Sequence, residues 1–126
     1  MTITEVSKKY NLTQDTIRYY EKVGMIPPVP RTSSGIRDFD EESCLWLDLA
    51  KCLRAAGLPV EMVAEYVRLF REGGSTMQAR YDLLNEQKKR LEEQKNVIEN
   101  ALSHLKAKVG LYEKAMKDGV VFPEGK

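Results

Sequence analysis

Among the side chains able to do chemistry, two cysteines, Cys44 and Cys52, and a single histidine, His104, come first. The cysteines are eight residues apart, about 12 Å along any helix that holds both, which excludes a local disulfide. No Cys-x-x-Cys pair or Cys/His cluster offers a zinc site, and His104 has no neighbouring ligand, so neither a metal nor a cofactor is expected. No cysteine–histidine dyad, paired-carboxylate motif or phosphate loop points to an enzyme. Cys44, beside Glu41 and Glu42, reads as structural. Cys52 reads two ways. Lys51 and Arg54 beside it favour a thiolate able to attack electrophiles, and free cysteine is equally a common packed core residue.

A second group is made for binding rather than reaction. Arg18, Tyr19 and Lys22, with Gln14 and Asp15, share one side of a short helix, leaving Ile17 and Tyr20 on the other. Shortly after, Arg31 and Arg37 flank Thr32-Ser33-Ser34-Gly35-Ile36. Basic and aromatic side chains on a helix beside a basic turn suit a phosphate backbone and a groove.

The elements that must position these residues follow from caps and breakers. Thr2 and Glu5 form a capping box for a helix from Ile3 to about Tyr10. Asn11-Leu12 makes a tight turn, and Thr13 caps a second helix that runs to Val23 and is closed by a left-handed Gly24. Ile3, Val6, Leu12, Ile17 and Tyr20 face inward. Two short helices about a tight turn are a helix-turn-helix candidate. Pro27, Pro28 and Pro30 forbid helix, and residues 31–37 read as a turn between short extended arms, a wing. Asp40 caps a third helix, with Leu45, Leu49, Cys52, Leu53 and Ala56 as its apolar stripe. Pro59 opens a fourth, with Val60, Val63, Ala64, Val67 and Phe70 inward, up to Gly73-Gly74.

From Ser75, with Gln78 completing a capping box, the pattern becomes a heptad. Met77, Leu84, Leu91, Ile98, Leu105 and Tyr112 recur every seven residues, and Tyr81, Lys88, Lys95, Leu102, Val109 and Met116 follow each by four. A helix over residues 75–117 is on the order of 60 Å long and has no core of its own. It needs a partner, and a second copy of the chain is the simplest, with Met77, Tyr81, Leu84, Leu91, Ile98, Leu102, Leu105, Val109 and Tyr112 as its interface. The expected organisation is a DNA-binding head over 1–72, a coiled-coil helix over 75–117 and a short tail over 118–126.

Composition sets the limits. The 126 residues carry 20 Lys+Arg against 19 Asp+Glu, a net charge of +1, which on its face speaks against a nucleic-acid partner. The total conceals an asymmetry. Residues 8–37 hold Lys8, Lys9, Arg18, Lys22, Arg31 and Arg37 against Asp15 and Glu21, whereas residues 38–48 hold Asp38, Asp40, Glu41, Glu42 and Asp48 with no cation. Phosphates respond to the local basic surface, so double-stranded DNA survives as a partner, beside the plainer reading of a three-helix core with a solvated basic face. No run approaches the roughly 20 apolar residues that span a bilayer, and the opening residues do not form a signal peptide, so a cytoplasmic protein without membrane contact is expected.

Thr16-Ile17-Arg18-Tyr19-Tyr20-Glu21-Lys22-Val23-Gly24-Met25-Ile26-Pro27 closely resembles the signature of the MerR family of bacterial transcription regulators. The likeness extends through Gly35-Ile36-Arg37, the acidic opening of the third helix and Ala56-Gly57-Leu58-Pro59. It implies a mostly α fold: a winged helix-turn-helix head followed by a long C-terminal helix that dimerises as an antiparallel coiled coil. It implies a homodimer on a pseudo-palindromic promoter element, distorting the DNA so that RNA polymerase meets both promoter elements correctly placed. Carried onto this sequence, Thr16, Arg18 and Tyr19 approach the major groove and its phosphates. Tyr20 is either core or, through its hydroxyl, a phosphate contact. Arg31 and Arg37 are wing contacts, with Gly35 permitting the turn. The family usually has Tyr where this chain has Ile36. The coil start and the tail lack the cysteines of metal-responsive members, and the large ligand domain of drug-responsive members is not expected. Residues 35–42 and 51–57 resemble the thiol- and aldehyde-responsive (NmlR/AdhR-like) subgroup, in which the matching cysteine, Cys52, is the proposed sensor of a small electrophile. The competing reading is a non-sensing architectural or excisionase-like DNA-binding protein.

Overall fold

The computed structural model describes residues 1–119; the expected tail over 118–126 lies, from residue 120 onward, outside the described residues. The order is α1 (Ile3–Tyr10), α2 (Gln14–Lys22), α3 (Glu41–Ala55), α4 (Val60–Glu72), a 3-10 turn (Gly74–Thr76) and α5 (Met77–Lys117). Among the described residues there is no strand. The arms of the wing meet in a single antiparallel bridge, Arg31 with Arg37.

Local chemistry explains the boundaries. The Thr2 hydroxyl accepts from the Glu5 amide while the Glu5 carboxylate accepts from the Thr2 amide, a closed capping box on α1. Asn11 ends that helix in the left-handed region at φ 53, a conformation its short amide side chain tolerates. The Thr13 hydroxyl accepts from the Thr16 amide at 3.1 Å and caps α2, which starts at the next residue, Gln14. The Asp40 carboxylate accepts from the Ser43 amide at 2.8 Å and starts α3.

By contact the chain groups into two compact units, Met1–Asn85 and the part of α5 that begins at Glu86. In the first unit, Val6, Ile17, Met25, Ile26, Phe39, Leu47 and Val63 are the large side chains almost completely removed from water. Each contributes about 1.5–3 kcal/mol against its exposed state. Three of them, Met25, Ile26 and Phe39, lie outside helices, so the segment between α2 and α3 is anchored in the core at both ends. A ring cluster adds to it: Trp46 of α3 sits edge-on to Phe70 of α4 at 4.9 Å and tilted to Tyr66 at 5.9 Å, and the Arg80 guanidinium lies over Phe70 at 5.4 Å.

Three expectations are corrected. On α3 the buried face is Ser43, Cys44, Leu47 and Ala50, whereas Leu45 is 67% exposed, Cys52 and Ala56 are exposed, and Leu49 and Leu53 are half-buried. The helix carries two apolar stripes, and the narrower one, with small residues, faces the core. On α4, Met62 joins Val63 and Val67 inside, while Phe70 is 40% exposed and is covered in part by its ring and cation contacts. At the head of α5, Ser75 lies within the 3-10 turn, and Gln78 donates forward to Asp82 at 2.9 Å. Thr76 fastens this junction, its hydroxyl reaching the Leu69 and Gly73 carbonyls. Among the described residues, no helix is long and apolar enough to cross a membrane.

Candidate nucleic-acid interface

Helix α2 divides into two faces. Ile17 and Tyr20 are buried, so the Tyr20 ring is core. Asp15, Arg18, Tyr19 and Lys22 are exposed, and Thr16 is half-buried with its hydroxyl 2.7 Å from that of Thr13. The Arg18 guanidinium lies back along the helix, 3.1 Å from the Asp15 carboxylate and 3.2 Å from the Gln14 amide oxygen. This pair is solvent-exposed and contributes at most about 1 kcal/mol, so it holds the Arg18 guanidinium only weakly.

The wing is held beside this helix by one carboxylate. Glu21, on the inner side of α2, accepts from the Arg37 Nε at 2.7 Å with one oxygen and from the Val29 amide at 2.6 Å with the other. Both partners of the ion pair are largely shielded, at 24% and 14% side-chain exposure. Burial pushes the Glu21 carboxyl up, but the Val29 amide and the Arg37 guanidinium outweigh it and hold it below the ordinary glutamate range. Arg31, on the opposite arm, is exposed and donates to the Gly35 carbonyl at 2.9 Å across the turn. Gly35 takes φ 86, where a Cβ would be strained whatever the free space. Ile36 is 61% exposed at the tip. Thus Arg18, Tyr19 and Arg31 are exposed, the two arginines held only by exposed local contacts, while Arg37 is committed by its Nε to Glu21. Sequence reasoning missed this role of Glu21, because its partners lie 8 and 16 residues away and no local signal marks them.

The two cations beside Cys52 are engaged elsewhere. Lys51 donates its ammonium to the Tyr10 carbonyl at the end of α1, and Arg54 donates to the Leu58 carbonyl at 2.7 Å. The Cys52 thiol is exposed, which removes the packed-core reading. Cys44 is buried against Tyr10, and burial together with that thiol raises the Tyr10 hydroxyl above the ordinary phenol range. His104 is exposed on α5.

Two short helices about a left-handed turn, the second with a basic outer face, and a bridged basic turn locked to that helix define a winged helix-turn-helix head. The chain belongs to the MerR family: the model for MerR HTH family regulatory proteins matches residues 1–69. This is a family of transcription regulators, not of enzymes. The regulator AdhR of Bacillus subtilis (strain 168) is 50% identical over 91 residues, which are 72% of this chain and 65% of that protein, so the match spans a little under two thirds of that relative. An uncharacterised HTH-type transcriptional regulator of Haemophilus influenzae is 28% identical over 95% of this chain and 89% of its own. Among solved structures, a putative MerR family regulator from Listeria monocytogenes superposes with a TM-score of 0.89 at 39% identity, covering 94% of this chain and 90% of that one. HiNmlR, described as a MerR family regulator lacking the sensor domain and bound to promoter DNA, gives 0.84 at 28% identity, covering 94% of each. AdhR and HiNmlR carry the names of the subgroup that residues 35–42 and 51–57 resemble.

Proposed function

We propose that this chain binds a pseudo-palindromic promoter element as a homodimer, through α2 and the wing of each copy, and distorts the DNA so that RNA polymerase engages it. The observation that carries the reading is the pairing of a solvent-facing Arg18, Tyr19 and Lys22 with a wing fixed to the same helix by Glu21. In each head, α2 reads the major groove and Thr16, Arg18 and Tyr19 meet its edges and phosphates. Arg31 meets backbone beside it, with Gly35 shaping the turn. Arg37 holds the wing and offers the backbone only the guanidinium edge that Glu21 leaves. Tyr20 contributes through its ring to the core behind the helix. The two heads are joined through α5 by Met77, Tyr81, Leu84, Leu91, Ile98, Leu102, Leu105, Val109 and Tyr112.

Response to an aldehyde or a nitrosative electrophile is assigned to Cys52. Its support is exposure of the thiol between two side chains that tie α3 to neighbouring backbone, Lys51 to the end of α1 and Arg54 to the loop before α4. An adduct at Cys52 disturbs both ties and so shifts the head.

The test is a salt titration of promoter-DNA binding by fluorescence anisotropy. Each phosphate contact contributes about 0.9 to the slope of log K against log salt. Arg18→Ala is expected to lower affinity and reduce the slope by about one per head. Unchanged affinity and slope overturn the assignment of α2. Transcription in vitro from a promoter with a long spacer then separates a regulator, which activates it, from an architectural or excisionase-like protein, which binds without activating.

A further inference from the structure

The outer face of α2 carries one anion among its cations. The Asp15 side chain is 96% exposed, and its Oδ1 lies 3.1 Å from Nη1 of Arg18. A carboxylate in that place weakens the attraction of Arg18 for any approaching phosphate, which brings only acceptors and negative charge. On a face that meets DNA by charge alone it is the wrong residue.

Its position beside the guanidinium gives it another use. Nη2 of Arg18 donates to the Gln14 amide oxygen at 3.2 Å, and the Gln14 Nε2 donates to the Thr4 hydroxyl of α1 at 3.2 Å. The bond to Thr4 turns the amide oxygen toward Arg18 and ties the arrangement to α1. Across the end of the guanidinium the order is therefore the Gln14 oxygen, Nη2, Nη1 and the Asp15 carboxylate. Each η nitrogen spends one N–H on its local bond and keeps the other, and the carboxylate spends Oδ1 on Arg18 and keeps its second oxygen. Read outward, the group offers donor, donor, acceptor. Gln14 and Asp15 open α2, and a recognition helix presents its N-terminal residues to base edges.

In the major groove a G·C pair presents guanine N7, guanine O6 and the cytosine N4 amino group: acceptor, acceptor, donor. All three positions match. An A·T or T·A pair presents acceptor, donor, acceptor, and a C·G pair presents donor, acceptor, acceptor. Each of these matches at one position and sets like against like at the other two.

Resting on the DNA-binding reading above, we infer that Arg18 and Asp15 together read one G·C pair in each half-site, Arg18 on guanine N7 and O6 and Asp15 on the cytosine amino group, with Gln14 as the positioning residue. Asp15 sets specificity in two ways. It accepts from the cytosine, and it makes every phosphate a poorer partner for Arg18. In a homodimer the two pairs are related by the dyad, so their guanines lie on opposite strands. As a first-turn acid Asp15 also complements the helix dipole, and a residue with that role alone leaves base choice untouched.

The test is selection from duplexes with a randomised core by the full chain as wild type, Asp15→Ala and Arg18→Ala. Anisotropy titrations follow on the selected duplex, on duplexes with single pairs changed and on an unrelated duplex. The wild type is expected to select a symmetric site with one G·C pair per half that Arg18→Ala no longer selects, and to prefer it over A·T or C·G by roughly 5- to 150-fold. Replacing that guanine by 7-deazaguanine, which lacks N7, is expected to weaken binding by the wild type and not by Arg18→Ala. Asp15→Ala is expected to cut the preference by about fivefold or more and to bind the unrelated duplex more tightly than the wild type does. The salt slope counts cations on the duplex wherever they sit, so the slope loss expected for Arg18→Ala holds for a groove or a phosphate contact, and base choice separates the two. Identical base preferences in all three proteins overturn the inference and leave DNA binding intact. So does Asp15→Ala weakening the selected and unrelated duplexes by the same factor, the mark of a purely structural acid. Selection of no duplex by the wild type overturns the DNA-binding reading itself.

Discussion

Replacing Glu21 by Gln keeps the size and shape of the side chain and removes its charge. In the native head the two carboxylate oxygens accept from two donors, the Arg37 Nε–H and the Val29 N–H. An amide offers one oxygen, so one of these donors faces an NH2 group instead. The loss is one charge-assisted hydrogen bond in a largely shielded site, about 1.5–3 kcal/mol, and the Arg37 charge is left without its counterion. For a domain of this size each kcal/mol lowers Tm by roughly 4–8 °C. We therefore expect Glu21→Gln to lower Tm by about 6–24 °C at fixed protein concentration, and to lower the urea midpoint with the slope unchanged. The pH dependence supplies a second reading. The folded carboxyl titrates below the ordinary range, so its contribution is complete above the unfolded value of about 4.3 and disappears as pH falls through the lower, folded value. The gap between wild type and Glu21→Gln is thus constant at neutral pH and closes on acidification, because protonated Glu21 approximates Gln. A urea midpoint unaffected by the substitution, or a gap that widens toward low pH, refutes the clamp.

Thr13→Ala removes the hydroxyl that accepts from the Thr16 amide at the start of α2 and is expected to cost about 1 kcal/mol in urea unfolding, with DNA affinity weakened in proportion to the loosened first turn. Cys52→Ser is expected to bind promoter DNA like the wild type and to lose the transcriptional response to an aldehyde or nitrosothiol in vitro. A retained response refutes the sensor assignment, and loss of DNA binding would place Cys52 in the fold rather than in signalling.

The beginnings of the first three helices were legible because a cap is a local device. Thr2 with Glu5, Thr13 and Asp40 each act within three residues, and the glycine and prolines after α2 stop the helix where they stand. The face of α3 was not legible. Leu45, Leu49 and Cys52 are a better apolar stripe than Ser43, Cys44, Leu47 and Ala50, and only the packing of α1 and α4 decides between them. The start of α5 was misread because Ser75 and Gln78 have the spacing of a capping box while the Thr76 hydroxyl captures the carbonyls that fix the turn. At the binding surface, the exposure of Arg18 and Tyr19 followed from helical period. The clamp at Glu21 did not, since it joins three segments distant in sequence, nor did the engagement of Lys51 and Arg54, whose charge was visible but whose direction was not.

On the reading proposed above, the two faces of α2 also separate the side chains that meet DNA from those that keep the head in shape. Ile17, Tyr20 and Glu21 hold the helix and the wing from behind, and none of them needs to change for Arg18, Tyr19 or Lys22 to be exchanged. If those three solvent-facing positions set operator preference as proposed, substituting them while the scaffold stays constant retargets it, which makes this head a practical starting point for selecting new binding sites in a library.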